Sequence, residues 1–310
     1  MNLNVYYDTE YAPITFDFAT YLVTANCARA YGKFEKINLH VYANKFRKQT
    51  PRDIETPTDV LKSRLNHILK GVPALLPFIE DTHFYLSPVG ELNYPMFPDG
   101  YAGNRTQRPP IPYLSNSLLQ FQNKVDKDNF LPYRAPEGAR KIISNTLKSV
   151  SNSKFFTITL RTSNTQIERN SNMDEWFKVY TELRKHGYDV FVIPDYEDLT
   201  SHKRYKNYQW QVFELAAFDH GIRLALYEGA VQNLCVLNGV MVPLFHSPYR
   251  YHVYKPLVQA VRQTRIEWFN SIFGIDIGQN FWWSYDNHQK INWIEDNFSL
   301  IMPTISDYLN

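Results

Sequence analysis

Short apolar runs alternate with longer stretches of mixed polarity along most of the chain, a pattern that predicts a parallel sheet with helices between its strands. In the first half, Leu3–Tyr7 and Ile37–Tyr42 are β-rich and predict two strands. The stretch between them, Ile14–Tyr31, predicts a helix that is entered at Pro13 and ended by Gly32. Because no Gly-x-Gly-x-x-Gly turn follows the first strand, the pattern argues against a dinucleotide-binding fold of the usual kind.

The rest of the first half is less regular. Thr58–Leu69 has apolar residues at helical spacing, with Thr58 as its N-cap. Leu86–Pro112 is rich in Pro, Gly, Tyr and Asn and predicts a long irregular loop, of a kind that is often functional. Helices are predicted over Ile111–Val125 and Pro136–Ser149.

The second half opens with a clearer pattern. Phe155–Leu160 predicts a strand, Arg161–Asn172 a long polar loop and Met173–His186 an amphipathic helix. Val190–Ile193 predicts the next strand, and Asn207–Asp219 the helix after it. Strands and helices therefore alternate with short connections, as in a doubly wound domain.

The stretch that follows is predicted to run strand, glycine turn, helix, glycine turn, strand. Ile222–Leu226 predicts a buried parallel strand, and Glu228-Gly229 interrupts it. Ala230–Leu237 predicts a helix closed by Asn238-Gly239, and Val240–Phe245 predicts the next strand. The elements predicted to complete the chain are a helix ending near Phe273, a strand over Gln289–Ile294 and a terminal helix over Phe298–Leu309.

Two segments of the second half resemble one protein superfamily. Glu228–Pro243, which ends in Asn-Gly-Val-Met-Val-Pro, resembles the donor-side segment of GT-B-fold glycosyltransferases such as heptosyltransferases and fucosyltransferase-like enzymes. Thr159–Arg161 and Arg169–Asn172 resemble the loop that opens the donor half in such proteins. The resemblance implies an α/β fold with two Rossmann-like doubly wound domains facing a cleft. We expect residues 1–150 to form the acceptor-side domain and 151–310 the nucleotide-sugar-binding domain, with a last helix that can cross back to the first.

The function that this resemblance implies is metal-independent transfer of a sugar, with inversion, from a nucleotide-sugar donor to a glycan or lipid-linked acceptor. Two alternatives stay open. One is a nucleotide-sugar epimerase or hydrolase on the same fold, and the other is a sugar- or nucleotide-binding protein without catalytic activity.

The Arg161–Asn172 loop is the first candidate for donor binding. Arg161 and Arg169 flank the loop, and guanidinium groups bind phosphate oxygens bidentately. Asn170 and Asn172 lie beside the start of the next helix, where main-chain N–H groups favour an anion. In the alternative interpretation, Arg161 forms an ion pair at the strand end and Asn172 is only an N-cap.

A second group of candidates lies one strand over in the predicted sheet. In a GT-B enzyme this position binds ribose or sugar hydroxyls, so Glu228 would accept two hydroxyl hydrogen bonds. Its neighbours in sequence complete the predicted donor site, and they are Tyr227, Gly229, Gln232 and Asn233. In the alternative interpretation, Glu228 only starts a helix.

The catalytic base is predicted in the first domain. In GT-B enzymes a carboxylate or histidine near the first strand commonly takes the acceptor proton, and Asp8, Glu10 and Asp17 lie there. Asp17 falls in the first helical turn, where a carboxylate also stabilises the helix dipole without any catalytic role.

Composition and charge restrict the partners, the location and the cofactors expected for this protein. The net charge of +2 gives no indication of nucleic acid as a partner. Cys27 and Cys235 lie in apolar contexts that favour buried thiols, and acidic residues near the N-terminus do not fit a signal peptide. No apolar stretch is long enough for a transmembrane segment. The expected location is cytoplasmic, with peripheral attachment at the inner membrane face left open, and no metal-ligand motif or cofactor is predicted.

Overall fold

The chain forms two compact units in a computed structural model that describes residues 1–87, 92–101, 116–150, 154–199, 203–285 and 287–309. Unit 1 comprises Met1–Arg134, and unit 2 comprises Ala135–Asn310. The sequence prediction placed the division at residue 150, so it assigned the helix after Pro136 to the first unit. That helix belongs to unit 2, where its Arg140 Nε lies 2.7 Å from Glu228 Oε2.

Unit 1 is built on a parallel sheet of four strands in the order β3-β2-β1-β4. Its strands are β1 (Leu3–Asp8), β2 (Ile37–Tyr42), β3 (Ile79–Tyr85) and β4 (Met96–Phe97). The first two confirm the sequence prediction. The α/β expectation for the first half is therefore confirmed at the level of the sheet.

The helices of unit 1 are shorter than the sequence pattern predicts. Its α-helices are α1 (Asp17–Tyr31), α2 (Pro51–Glu55), α3 (Thr58–Arg64) and α4 (Asn116–Leu119). The predicted helix over Thr58–Leu69 is α3 continued by a π-helical turn, Leu65–Leu69. Of the helix predicted over Ile111–Val125, only α4 is α-helical in its described part, and residues 111–115 lie outside the described residues. Residues 88–91 and 102–112 of the predicted long loop also lie outside them.

The side chains of β1 separate an apolar face from a polar aromatic face. On the apolar face, the buried residues Val5 and Leu39 contribute to the core. On the other face Tyr6 stacks on His40, with ring centroids 4.8 Å apart, and Tyr42 stacks on Tyr85 at 4.6 Å. Burial lowers the pKa of His40 to about 4, with the neighbouring His83 adding to the effect. His40 is therefore neutral in this row of rings at neutral pH.

Unit 2 contains a parallel sheet of five strands in the order β6-β5-β7-β8-β9. Its strands are β5 (Phe155–Thr159), β6 (Asp189–Ile193), β7 (Gln232–Val236), β8 (Tyr251–Tyr254) and β9 (Gln289–Ile291). Its α-helices are α5 (Glu137–Val150), α6 (Met173–Lys185), α7 (Leu215–Phe218), α8 (His220–Gly229), α9 (Val242–Phe245), α10 (Ile266–Phe273) and α11 (Phe298–Thr304). Within this unit, Phe298 N–H donates to Glu175 of α6 at 2.8 Å, so α11 packs on α6.

The prediction for Ile222–Phe245 is wrong in all three of its elements. The predicted strand Ile222–Leu226 is part of helix α8, the predicted helix Ala230–Leu237 contains strand β7, and the predicted strand Val240–Phe245 contains helix α9. The helix start is marked by Asp219, whose Oδ1 accepts the Ile222 N–H at 2.8 Å. Because α8 is buried on nearly every side from Ile222 to Tyr227, it shows no helical periodicity.

Two further predictions in unit 2 need correction. The helix predicted over Asn207–Asp219 is mostly irregular, and only the four residues of α7 are α-helical within it. The strand β8 was missed because it lies in a stretch predicted to lead into a helix. By contrast, β5, β6, α6 and β9 lie where the sequence pattern predicts them.

Candidate functional site

The strand order of unit 2 contains a topological switch point between β5 and β7. From β5 the chain moves to β6 on one side, and it then returns to β7 on the other side. In open parallel sheets of this kind, ligands bind in the crevice outside the carboxyl ends of the two strands at the switch. We call this region the β5–β7 edge, defined by residues 160–163 after β5, residues 237–239 after β7, and Arg169.

Arg161 is buried, and its guanidinium makes three hydrogen bonds to the loop that follows β5. Its Nη1 donates to the Gln166 carbonyl at 3.0 Å and to Asn170 Oδ1, and its Nη2 donates to the Thr165 carbonyl at 2.8 Å. The side chain is 5% exposed. Both terminal nitrogens thus bind acceptors of the loop itself, an arrangement that argues against the predicted phosphate contact.

Arg169 and Asn170 connect this loop to other parts of the edge. Arg169 Nη2 donates to the carbonyl of Leu237, directly after β7, at 3.2 Å, and its Nη1 donates to Gln166 Oε1 at 2.8 Å, so the side chain links the loop after β5 to the end of β7. Asn170 accepts the Ser163 N–H at 3.1 Å and donates to the Ser163 carbonyl at 2.9 Å. Arg169 and Asn170 were predicted to lie with Arg161 in the loop after β5, and in the structure they lie together in that loop.

A buried carboxylate occupies the start of α6. Asp296 Oδ2 accepts the main-chain N–H of Asn172 at 2.7 Å and Trp176 Nε1–H at 3.0 Å. Lys255 Nζ lies 3.6 Å from Asp296 Oδ1 and donates to the Asn170 carbonyl at 2.9 Å. The anion predicted at this helix start is therefore a protein side chain, and the exposed Asn172 side chain makes no capping hydrogen bond.

Thr162 is the next residue at the end of β5. Its N–H donates to Asp195 Oδ2 at 3.4 Å, while its own hydroxyl oxygen is buried and makes no hydrogen bond within the described ranges. Burial raises the pKa of Asp195, with a further increase from Glu197 and an opposing decrease from main-chain hydrogen bonds and Arg161. A buried polar group without a partner is uncommon in folded proteins, so the Thr162 hydroxyl is a candidate hydrogen-bond partner for a ligand at this edge.

Glu228 and Gly229 lie at the amino ends of the strands, so the structure does not bring them together with Arg161 as the sequence predicted. They end helix α8, and the N–H of Val231 donates to the carbonyl of Phe155, the first residue of β5. Glu228 forms its ion pair with Arg140 at this amino-terminal edge. Arg161 follows the carboxyl end of β5, so the two predicted groups face different ends of the domain.

Gln232 and Asn233, which were also predicted to bind the donor, are buried residues of strand β7. Asn233 donates to the carbonyls of Tyr227 and Arg250, at 3.0 and 2.7 Å, and accepts from Thr157 at 2.6 Å. Gln232 donates to the His288 carbonyl at 3.0 Å. Their amide groups are used inside the domain, which explains how polar residues occupy a buried strand.

Tyr227 is fully buried, and its hydroxyl reaches back towards the switch point. The hydroxyl lies 2.7 Å from Thr159 Oγ1 at the end of β5 and donates to Met241 Sδ, after β7, at 3.5 Å. Burial raises the pKa of Tyr227 to about 12. Tyr227 was predicted to belong to the donor site. In this structure its hydroxyl instead contacts Thr159, at the end of β5, and Met241, after β7.

The three predicted catalytic carboxylates of unit 1 lie at the carboxyl end of β1 or after it, with Asp8 as the last residue of the strand. Asp8 is buried and accepts the Glu10 N–H at 3.0 Å and the Tyr101 hydroxyl at 2.9 Å. Glu10 lies 3.9 Å from Lys45 Nζ. Asp17 is exposed at the start of α1, and its Oδ2 accepts the Thr15 hydroxyl at 2.8 Å. The base assigned from the sequence stays a prediction, with these three residues brought to one edge of the unit 1 sheet.

The described residues include neither a cluster suited to a metal ion nor a helix suited to a membrane span. No cluster of three or more His, Cys, Asp or Glu side chains in the described ranges is arranged to hold a metal ion. None of the described helices combines the length and the apolar character needed to cross a membrane.

Sequence reasoning missed four buried or half-buried side chains of unit 2, which are Thr162, Lys255, Asp296 and Arg223 of α8, whose Nε donates to the Ala216 carbonyl at 2.6 Å. Thr162 stood in the predicted polar loop and was passed over in favour of its charged neighbours. Arg223 was hidden in a stretch predicted to be a strand, although Asp219 gave a helix-start signal. Lys255 and Asp296 come from distant parts of the chain, and no local pattern connects them to the loop.

Comparison with solved structures supports the fold. A glycosyl transferase of family 9 from Veillonella parvula DSM 2008 is similar over 99% of this chain and 97% of its own, with a TM-score of 0.50 and 10% sequence identity. At this identity the likeness shows the fold alone. It confirms the α/β fold with two Rossmann-like units that the resemblance to GT-B glycosyltransferases implied.

Two other solved structures are similar at lower scores. E. coli ADP-heptose lps heptosyltransferase II is 11% identical, with 100% of this chain and 96% of that chain covered and a TM-score of 0.48. Methanocaldococcus jannaschii UDP-GlcNAc 2-epimerase in complex with UDP-GlcNAc and UDP is 12% identical, with 100% and 93% covered and a TM-score of 0.42. No protein-family model and no curated protein sequence matches the chain.

Proposed function

We propose that the protein is a glycosyltransferase that moves a sugar from a nucleotide-sugar donor to a glycan or lipid-linked acceptor. The fold, shared with a glycosyl transferase of family 9, supports the reaction class. The choice of a nucleotide donor rests on the β5–β7 edge, since the crevice at such a switch point is where nucleotides bind in doubly wound sheets.

The single observation that carries the proposal is the arrangement at that edge. Arg169 links the loop after β5 to the end of β7, and the buried Thr162 hydroxyl lies just after β5 without a hydrogen bond in the described structure. A guanidinium and a hydroxyl are suitable donors to phosphate oxygens. We therefore assign the donor diphosphate to this edge, with Thr162 and the half-buried Arg169 as contacts and the buried Arg161 as the residue that keeps their loop in shape. Phosphate binding then replaces the hydrogen bond from Arg169 to the Gln166 side chain.

The acceptor is assigned to unit 1. Of the three carboxylates at or after the end of β1, Asp17 has an exposed side chain, whereas Asp8 is buried and accepts the Tyr101 hydroxyl. We propose Asp17 as the general base that takes the proton from the acceptor hydroxyl during an inverting transfer. Asp8 then serves to fix the chain between β1 and α1 through its hydrogen bond from Glu10.

Charge neutralisation without a metal is part of the proposal. Guanidinium groups stabilise the charge that develops on a leaving diphosphate, so a divalent cation is not required for that purpose. We place this reaction in the cytoplasm, with a lipid-linked acceptor reached from the inner membrane face.

Incubating the protein with a panel of nucleotide sugars and glycan or lipid-linked acceptors tests the proposal. We expect one donor to release its nucleoside diphosphate together with a glycosylated product, measured by mass spectrometry of both. Because the diphosphate is held by side chains, the rate is expected to change less than twofold in EDTA.

Each contrary outcome identifies a different error. A rate that EDTA abolishes and magnesium or manganese restores would show that metal-independent transfer is wrong. Turnover of the donor without acceptor, to an epimerised or hydrolysed sugar, would replace transfer with the second reaction on this fold. Tight donor binding without any turnover would make the protein a binding protein.

A further inference from the structure

Arg223 on helix α8 is a buried cation that the proposed reaction has not used. Its side chain is 4% exposed, and its Nε donates to the Ala216 carbonyl at 2.6 Å. Its Nη1 atom is shielded from solvent and makes no hydrogen bond within the described residues. A guanidinium has five donors in a fixed plane, so this one retains unused capacity.

No carboxylate balances the charge of Arg223 in the ranges that the structure describes. The acidic residue one turn earlier, Asp219, is exposed and uses its Oδ1 to cap the Ile222 N–H. Removing a charge from water without a counter-charge is costly, and uncompensated buried charges are correspondingly rare. The position of Arg223 therefore calls for an anion supplied from outside the described chain.

The location of Arg223 indicates which anion this is. It precedes Tyr227 by one helical turn, and its charge acts on the Tyr227 phenol, where it opposes the larger effect of burial on the pKa. The Tyr227 hydroxyl lies between Thr159, at the end of β5, and Met241, beyond the end of β7. Arg223 also makes a side-chain hydrogen bond to the Tyr227 phenol, so its guanidinium lies with that hydroxyl near the carboxyl end of β5.

We propose that Arg223 binds a phosphate group of the nucleotide ligand at the β5–β7 edge. The proposal rests on the proposed function, and it adds a buried cation on α8 to the contacts that Arg169 and Thr162 supply. Arg161 is held by its own loop, whereas Arg223 has an unused nitrogen beside the switch point. In a site screened from water, an arginine–phosphate pair is strong because neither group is well solvated by competing water.

The test measures anion binding directly, by calorimetry with sodium pyrophosphate, inorganic phosphate, ADP, UDP and GDP. Arg223→Met removes the charge and keeps a similar length, and we expect pyrophosphate and the preferred nucleoside diphosphate to bind at least tenfold more weakly. Arg250→Met is the matched control, because Arg250 is exposed and its loss changes the net charge equally. The control is expected to bind as the unmodified protein does.

A second readout separates ligand binding from a purely structural role. Without ligand, Arg223→Met is expected to melt at the same temperature as the unmodified protein or higher, since an uncompensated buried charge has gone. A structural role for the Ala216 contact would instead lower the melting temperature and leave affinity unchanged. If Arg223→Met does not fold, Arg223→Lys keeps the charge but loses the bidentate geometry, and at least fivefold weaker pyrophosphate binding is expected.

The inference and the proposed function fail in different ways. Unchanged pyrophosphate and nucleotide affinity in Arg223→Met, or in Arg223→Lys where only that variant folds, overturns the role of Arg223 while sugar transfer stands. Arg223-dependent pyrophosphate binding in a protein that turns over no nucleotide sugar supports the anion site and removes the transferase proposal.

Discussion

Asp296→Ala is expected to lower the free energy of unfolding by about 3–5 kcal/mol, the cost of breaking a buried ion pair. The substitution leaves the Asn172 N–H and the Trp176 indole N–H without an acceptor, and it leaves Lys255 without its carboxylate. Trp176 is fully buried, so water cannot replace the lost acceptor without disturbing the core. Urea denaturation followed by tryptophan fluorescence measures the change.

The adjacent acidic residue provides the control for this experiment. Glu295 is exposed, and Glu295→Ala removes the same charge from the same segment. We expect that variant to unfold within about 0.5 kcal/mol of the unmodified protein. Equal effects of the two substitutions would contradict the role of Asp296 as the buried acceptor at the start of α6.

Arg161→Ala is expected to destabilise unit 2 by about 3 kcal/mol, because hydrogen bonds from a charged donor contribute about 1.5–3 kcal/mol each and some carbonyls regain water. The variant releases the carbonyls of Thr165 and Gln166 and the side chain of Asn170. Amide hydrogen exchange by residues 163–171 is expected to accelerate, while exchange in strand β9 stays slow. The same variant should bind nucleotide less tightly, as a consequence of the disordered loop.

Arg161→Lys distinguishes organisation of the loop from simple positive charge. A single ammonium group cannot span three acceptors, so lysine is expected to restore little of the stability. Full rescue by lysine would mean that only the charge matters, as the phosphate interpretation of Arg161 requires. Arg250→Ala, at an exposed position, controls for loss of one arginine.

The fold was predictable from the sequence wherever apolar period and boundary residues agreed. β1, α1 and β2 combine β-rich or helical runs with Pro13 and Gly32 at the helix ends, and the structure reproduces them closely. β5 followed by an amphipathic α6 is equally clear. Of these segments, α6 has one buried and one exposed face, so its helical period identifies it. β1 and β5 are buried at every position, and α1 is buried over most of its length, so these elements are identified by their residue types and their boundary residues.

The stretch from Ile222 to Phe245 could not be predicted in this way for two physical reasons. α8 is buried nearly all round, so its apolar run has neither a helical nor a strand period. β7 contains Gln232 and Asn233, whose amides are satisfied by main-chain groups far away in sequence. Because the prediction exchanged helix and strand in this stretch, it placed Glu228 at the carboxyl ends of the strands. In the structure Glu228 lies at their amino ends.

The candidate site was therefore only half predictable. The loop from Arg161 to Asn172 follows a strand and precedes a helix, so its place at the carboxyl edge could be inferred locally. The partner that fixes the start of that helix, Asp296, lies more than a hundred residues away. Such contacts are set by tertiary packing, which a single sequence does not display.

The most direct test of the account is calorimetric binding of the preferred nucleoside diphosphate to variants at the two edges of the unit 2 sheet. Thr162→Val removes the buried hydroxyl with little change in shape, and we expect weaker binding by about 1 kcal/mol without loss of stability. Arg169→Gln is expected to weaken binding as well, by about 1.5–3 kcal/mol, because a charged donor to phosphate is lost. Glu228→Gln, at the amino edge, is expected to bind as the unmodified protein does. Weaker binding in Glu228→Gln, with unchanged binding in Thr162→Val and Arg169→Gln, would contradict a donor site at the β5–β7 edge.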